Sequence, residues 1–270
     1  MPSASPGSRA YAYGFWIAVV LIVASASVGV AMAETVAEAA CQPAAAPLSV
    51  EQVVENLGKR NAERTQALES YVSQRRYQLE YSGFPGSRRA EMIVQAKYAA
   101  PANKEFTIVS QTGSKAIINK VFKKLLESEQ EALAPENQER TALNPQNYEF
   151  CLLEYQRTGD FGAYVLGLKP KLKNKFLYRG KIWVDGKDFA VLRIEAEPAK
   201  NPSFWIKKSQ IQHAYIRIGD FWLPSENHTT SSVRLGGRAV LTIQYTDYTV
   251  VPDRGTSQLQ SSLGSGQSKH

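Results

Sequence analysis

Two hydrophobic periods divide the chain. Val50, Val53, Val54, Leu57 and later Leu68 recur at helical spacing, and Ser49 and Gln52 stand where a capping box would satisfy the first free N–H groups. This predicts an amphipathic helix over about 50–69. The pattern then switches to period two. Tyr77, Leu79 and Tyr81 alternate with Arg76, Gln78 and Glu80, and Ala90, Met92, Val94, Ala96 and Tyr98 alternate with Glu91, Ile93, Gln95 and Lys97. A third short run carries Phe106 and Ile108, so three antiparallel strands are expected, the first two joined through SGFPGS. Helical spacing returns in SKAIINKVFKKLLESEQEALA. There Ser114 stands at the cap, and Ile117, Ile118, Val121, Phe122, Leu125 and Leu126 form a wide apolar stripe. Lys123, Lys124, Glu127 and Glu129 are assigned to the opposite face.

From Tyr148 to Val251 the pattern is strand after strand, at about 147–156, 161–168, 175–184, 188–197, 206–218, 221–232 and 235–250. Gly159-Asp160, Asp185-Gly186, Gly219-Asp220 and Gly236-Gly237 punctuate them. In FLYRGKIWVDGKDFAVLRIEAEP, a loop of two or four residues would place Ile182, Val184, Phe189 and Val191 on one face. Trp183, Leu192 and Ile194 would share the other with Arg179 and Lys181. A sheet with one buried face would be more polar on its second side, so both sides of this hairpin need cover. There is no internal repeat and no dividing linker. The expected body is mainly β (α+β): one meandering antiparallel sheet with two main helices.

The termini read differently. Arg9 is the only charge before Glu34, and the apolar run ends in Ala31-Met32-Ala33, the pattern of a secretory signal peptide over 1–33. An uncleaved anchor is the rival, since Tyr11 to Ala33 is uncharged and about 20 residues span a bilayer. Residues 34–47 read as a flexible leader, 48–252 as the folded domain, and 253–270 as a disordered tail without apolar periodicity. Export gives the two cysteines, Cys41 and Cys151, the option of pairing. Two unpaired thiols, or lipidation at Ala39-Ala40-Cys41, are the alternatives. Glu38 sits where a lipidation signal wants an aliphatic residue.

Signs of catalysis are sparse. There is no Gly-x-Ser-x-Gly elbow and no His-Glu-x-x-His site. His213, His228 and His270 lie far apart, and His213 falls on a strand, where a hydrogen-bonded structural role is expected. Gly162 and Gly167 have phosphate-loop spacing, but the segment continues as strand rather than opening a helix. No cofactor or metal is expected. The net charge of +7 suits anionic partners without choosing among them. Lys169, Lys171, Lys173 and Lys175 crowd one hairpin tip, placed either to meet an anionic membrane or partner surface or simply as a solvated loop. Nucleic acid is not an expected partner, because no stacking-aromatic motif accompanies the lysines.

Three stretches in this order, YRGKIWVDGKDFAVLRIEAEP, YIRIGDFWLPSENHTTSSVRLGG and LTIQYTDYTV, resemble the outer-membrane lipoprotein-sorting family, the LolA-like periplasmic carriers. The likeness runs from the first helix to about Val251. It implies an incompletely closed antiparallel β-barrel with helices packed on its concave face as a lid over an apolar cavity. It also implies a periplasmic, non-enzymatic carrier that shields the acyl chains of a lipoprotein or lipid. On that reading Ile118, Phe122, Leu125 and Leu126 face a wall containing Tyr77, Leu79, Tyr81, Phe106, Phe189 and Trp222, the ten forming a lipid-binding site. In the family an arginine just before a proline latches the lid, whereas here Ala100 precedes Pro101, with Lys97 and Lys104 nearby. An envelope-stress sensor or assembly accessory that binds protein through the same fold is the alternative function. An enzyme would need a cluster that forms only in three dimensions.

Overall fold

The computed structural model describes residues 45–158, 161–201, 203–234 and 236–253. The expected signal segment, Cys41, most of the leader and nearly all of the tail lie outside the described residues.

Helix α1 spans Val50–Ala67, and the capping box forms: Gln52 N donates to Ser49 Oγ at 3.3 Å while Ser49 N donates to Gln52 Oε1 at 3.0 Å. Three long strands follow, β1 (Leu68–Ser82), β2 (Arg88–Ala99) and β3 (Asn103–Gly113). The second helical region is broken. Helix α2 (Lys115–Ile117) passes through a π-turn at Ile118–Phe122 into α3 (Lys123–Ala132), and α4 (Pro135–Thr141) follows. The expected single helix is thus interrupted, and α4 is an element the hydrophobic pattern did not announce. Ser114 occupies the N-cap without a side-chain hydrogen bond.

Seven further strands follow among the described residues: β4 (Tyr148–Thr158), β5 (Phe161–Pro170), β6 (Tyr178–Asp185), β7 (Val191–Pro198), β8 (Ile206–Ile218), β9 (Phe221–Val233) and β10 (Gly237–Pro252). All ten strands form one antiparallel sheet in the order β3-β2-β1-β10-β9-β8-β7-β6-β5-β4. Its two edges, β3 and β4, do not pair with each other. This is the incompletely closed barrel expected from the sequence, with helices against its concave face.

One row of directly paired residues crosses nine strands: Met92, Tyr77, Ile243, Asn227, His213, Ile194, Ile182, Leu166 and Leu152. Every member is buried. Its β4–β7 end packs with Val53, Val54 and Leu57 of α1 in one apolar cluster. The β1–β2 end packs under Ile118, Phe122 and Leu125 in another. Between the clusters the row turns polar at Asn227 and His213, flanked by buried Ser73, Arg75, Ser209 and Ser231. The helices therefore cover two apolar fields separated by a polar seam.

The hairpin around Asp185 departs from its expected geometry. Five residues, 186–190, separate β6 from β7, and Asp185 Oδ1 accepts from the backbone N–H groups of Lys187 (2.9 Å) and Asp188 (2.6 Å). A register shift between Trp183 and Val184 brings Ile194 directly opposite Ile182. Ile194 thus belongs to the concave face rather than beside Trp183. On the convex side the Arg193 guanidinium stacks 3.8 Å above the Trp183 ring, which answers how that face is covered.

Candidate functional site

At the end of the sheet where β1 begins, the covering helices leave a gap. Its walls are Asn61, Arg64 and Thr65 from α1, Leu68 and Tyr71 from β1, Tyr98 and Pro101 at the β2–β3 corner, Leu133 and Gln138 from the α3–α4 region, and Tyr215, Trp222, Leu223 and Pro224 from β8 and β9. The gap has a volume of about 100 Å³. On this measure one water takes about 10–15 Å³. Sites that enclose a drug-sized ligand occupy about 300–1,000 Å³. The cavity as it stands admits several waters or a short apolar group, and a long chain requires its walls to part.

Aromatic rings fix the shape. Tyr71 and Tyr98 stack at 5.2 Å, and Tyr71 meets Tyr248 edge-on at 5.8 Å. Tyr98 Oη donates to Pro101 O at 3.2 Å and Tyr248 Oη to Pro224 O at 2.8 Å, so both hydroxyls are satisfied on backbone. At the mouth Asp188 gathers three neighbours. Its carbonyl accepts from Arg64, and its carboxylate accepts from Trp222 Nε1 at 3.3 Å and pairs with Arg217 at 3.2 Å. The turn capped by Asp185 therefore positions the indole that lines the opening.

The cavity floor is charged. Glu129 of α3 accepts from Arg75 Nη1 of β1 at 2.7 Å and from Lys104 Nζ of β3 at 2.6 Å. Side-chain exposures of 4%, 2% and 1% for the three leave water almost no access. Burial opposes ionisation of Glu129, but Arg75 and Lys104 more than offset it and hold the carboxyl at about 2. The Arg75 guanidinium also lies 5.0 Å from the Tyr245 ring and 5.4 Å from the Phe106 ring. Two cations against one carboxylate leave the floor with an excess positive charge. Glu129, assigned by the sequence to the outer face of its helix, instead ties the helix to the sheet, together with Gln130, whose Nε2 donates to Lys104 O at 3.3 Å.

His213 stands one strand-pair away. Its ring stacks on Tyr215 at 4.7 Å and on Tyr245 at 6.2 Å, and neither ring nitrogen has a hydrogen-bond partner among the described residues. The expected hydrogen-bonded histidine is a stacked one. Burial pulls its pKa down to about 3, with Glu129 opposing and Arg75 assisting, so the ring is neutral at physiological pH.

The structure distributes the sequence-predicted lipid-binding residues over three places. Tyr77, Leu79, Ile118, Phe122, Leu125 and Leu126 are buried against one another under α2 and α3, with Tyr81 and Phe106 half-buried beside them. Phe189 packs on the α1 cluster. Trp222 lines the cavity. Arg75, Lys104 and Glu129 were missed, although their spacing carried a signal. Glu129 is four residues after Leu125 and seven after Phe122, on the apolar stripe, and Arg75 shares the parity of Tyr77 and Leu79.

The lysine tip is partly engaged. Lys169 pairs with Glu149 at 3.2 Å, Lys171 Nζ donates to Pro145 O at 2.6 Å, and Lys175 pairs with Glu131 of α3 at 2.8 Å. Cys151 lies on β4 and is not a free thiol, whereas Cys41 lies outside the described residues. Among the described residues no group of three His, Cys, Asp or Glu is placed to hold a metal ion.

No protein-family model matches this chain, and no curated protein does. Among solved structures it is similar to a putative outer-membrane lipoprotein-sorting protein domain from Vibrio parahaemolyticus, with 14% identity and a TM-score of 0.38 over 80% of this chain and 99% of the other. It is also similar to a DUF1329 family protein from Desulfovibrio piger, with 11% identity and a TM-score of 0.37 over 74% and 92% of the two chains. A LolA superfamily protein from Nitrosomonas europaea gives 11% identity and a TM-score of 0.32 over 77% and 96%. The first and third of these proteins carry the name of the family that the sequence motifs resemble.

Proposed function

We propose that this protein is an exported envelope carrier that takes an acyl chain, from a lipoprotein or a lipid, between its sheet and the helices on its concave face. The observation that carries the reading is the buried Arg75–Glu129–Lys104 triad beside an aromatic-walled cavity. A dry core would not place three charges beneath a gap. A closure that must release would, because an ion triad holds one arrangement and loses most of its strength once water enters. In the closed form the cavity receives the chain end next to Trp222. When α2 and α3 lift, Ile118, Phe122, Leu125 and Leu126 on the lid and Tyr77, Leu79, Tyr81 and Phe106 on the sheet become the walls of a longer groove. Phe189 extends the wall towards α1. Burial of the chain drives binding at about 25 cal/mol per Å² of apolar surface.

Uptake of a dansylated fatty acid tests the proposal. The wild type is expected to bind it, and Trp222→Ala to weaken binding several-fold while leaving the fold intact, since the indole is half-buried at the mouth. Phe122→Gln separates lid from core. If it unfolds the protein and the wild type takes up no probe, the carrier reading fails.

A second reading, docking of a protein segment, is favoured by β3. It is a sheet edge of eleven residues whose outer half is exposed, including Ile108 and Val109. Such an edge can pair with an incoming strand. A stable protein complex without lipid, recovered after gentle extraction, would support it over the carrier.

A further inference from the structure

The antiparallel order puts four turns at the end of the sheet away from the cavity: β1–β2, β9–β10, β7–β8 and β5–β6. They touch in sequence. A Cβ on Gly83 would lie 2.5 Å from Gly237 Cα, so the first two turns are in contact. Arg234 N donates to Trp205 O at 2.8 Å, and its guanidinium sits 4.5 Å from the Phe204 ring, joining the second to the third. Ala199 N donates to Leu177 O at 2.7 Å, joining the third to the fourth.

The composition of this rim is one-sided. Residues 83–89, 171–177, 199–208 and 234–238 contain no Asp or Glu. The first carries Arg88 and Arg89, and the fourth range Arg234 and Arg238. Lys200 belongs to the β7–β8 turn, and Lys207 and Lys208 open β8 just beyond it. Lys171, Lys173 and Lys175 belong to β5–β6. Lys175 pairs with Glu131 of α3, and Lys208 pairs with Glu197 near the end of β7. Arg88, Arg89 and Arg238 line one open groove, with Glu80 of β1, directly opposite Arg89, as the acid beside them. Among these cations the rim exposes its large apolar side chains: Phe84 at 78%, Leu172 at 58%, Phe204 at 47% and Trp205 at 36%. The opposite end mixes the signs, with Lys187 beside Asp185 and Asp188 and with Arg217 pairing with Asp188 and Asp220.

We propose that this rim is a docking surface for a lipid bilayer carrying anionic headgroups. Cations alone describe many solvated turns. Bare aromatic rings set among cations, with no acid in the same turns, match a surface that is negative at the headgroups and apolar just beneath. Phe84, Phe204 and Trp205 enter the headgroup layer, and the arginine groove binds lipid phosphates. The cavity mouth then faces water. This surface is independent of what the cavity binds.

Co-sedimentation with phosphatidylglycerol–phosphatidylcholine vesicles tests it, against vesicles of phosphatidylcholine alone. The wild type is expected to bind the anionic vesicles, less so as salt rises. Phe204→Ser with Trp205→Ser should weaken binding at least tenfold, and in the wild type the fluorescence of Trp205 should shift to the blue on binding. Replacing Arg88, Arg89 and Arg238 by Gln should weaken it by about fivefold per charge and flatten its salt dependence. Asp220→Asn, at the far end, should leave binding unchanged. All these side chains are exposed, and circular dichroism checks the fold of each variant. Absence of binding to anionic vesicles overturns the proposal, as does binding that every rim variant retains. Binding lost with the charges but insensitive to the aromatic pair overturns the insertion.

Discussion

Replacing Glu129 by Gln would leave Arg75 and Lys104 buried, almost without water and without their shared countercharge. Two routes give the size of the loss. A carboxyl held at about 2, rather than at 4.5, corresponds to about 3 kcal/mol. Removing one partner of a buried ion pair generally destabilises by about 3–5 kcal/mol. The routes agree, and for a domain of this size they translate to a fall in Tm of roughly 10 °C. Thermal and urea unfolding of Glu129→Gln read the change directly. The companion variant replaces Arg75, Lys104 and Glu129 together by Met. Since apolar substitution of a whole buried ion cluster is often neutral or stabilising, the triple variant should recover much of the loss. It should also tie the lid less specifically, and probe uptake should become faster. A Glu129→Gln protein within 1 kcal/mol of wild type would refute the reasoning. So would a triple variant as unstable as the single one.

Acid should destabilise the protein in two stages. His213 is held at about 3 and takes its proton near 6.5 in the unfolded chain, so the unfolded state binds the extra proton between those values. Stability contributed by the neutral ring is therefore whole above pH 6.5 and falls as the pH drops towards 3, by at most about 1.4 kcal/mol per pH unit. Glu129, with its depressed value, adds a second loss from about 4.5 down to about 2. His213→Phe should keep the ring stack and remove the slope between pH 6.5 and 4.5, and equal slopes in urea titrations of the two proteins would count against it. For protein from its native envelope, we propose a chain beginning at Glu34 with Cys41 and Cys151 paired. Intact mass should show loss of residues 1–33 and no lipid on Cys41, and alkylation without reductant should label neither cysteine. Two labelled thiols would show the bond absent, and with it a stabilisation that loop closure puts at about 4.7 kcal/mol.

The strands were legible because period two is a direct imprint of one buried face. The expected spans 206–218 and 221–232 meet β8 at Ile206–Ile218 and β9 at Phe221–Val233. The first helix was legible for a similar reason, since Val53, Val54 and Leu57 alone are its buried residues and its cap is local. Local rules failed where tertiary contacts decide. The β1 strand begins at Leu68, inside the span expected for the helix, because that segment pairs with β10 as far as Pro252. Ile194 changed faces because one register shift inverts everything beyond it. Glu129 was sent to solvent because carboxylates usually go there. Only a cross-check of both patterns, with Arg75 and Lys104 at the parity of Tyr77 and Phe106 and Glu129 in the stripe of Leu125, would have matched two buried cations to one buried anion.

That match also bears on the missing latch. With Ala100 before Pro101, the corner lacks the arginine that the family resemblance would place there, and the sequence alone left the lid with no visible fastening. On the proposed carrier reading, the fastening lies further inward. Arg75 comes from the centre of the sheet rather than its rim, Lys104 approaches from the edge strand β3, and a helix carboxylate receives both. The acceptor is then a side-chain carboxylate. It can be removed by one substitution, it titrates, and it brings its own charge, so the closed state depends on a specific helix position and on pH. The polar seam of His213, Asn227 and the serines then follows from the same need. A lid closed by charges requires a sheet that can carry charge at its centre, between the two apolar fields that keep the helices in place.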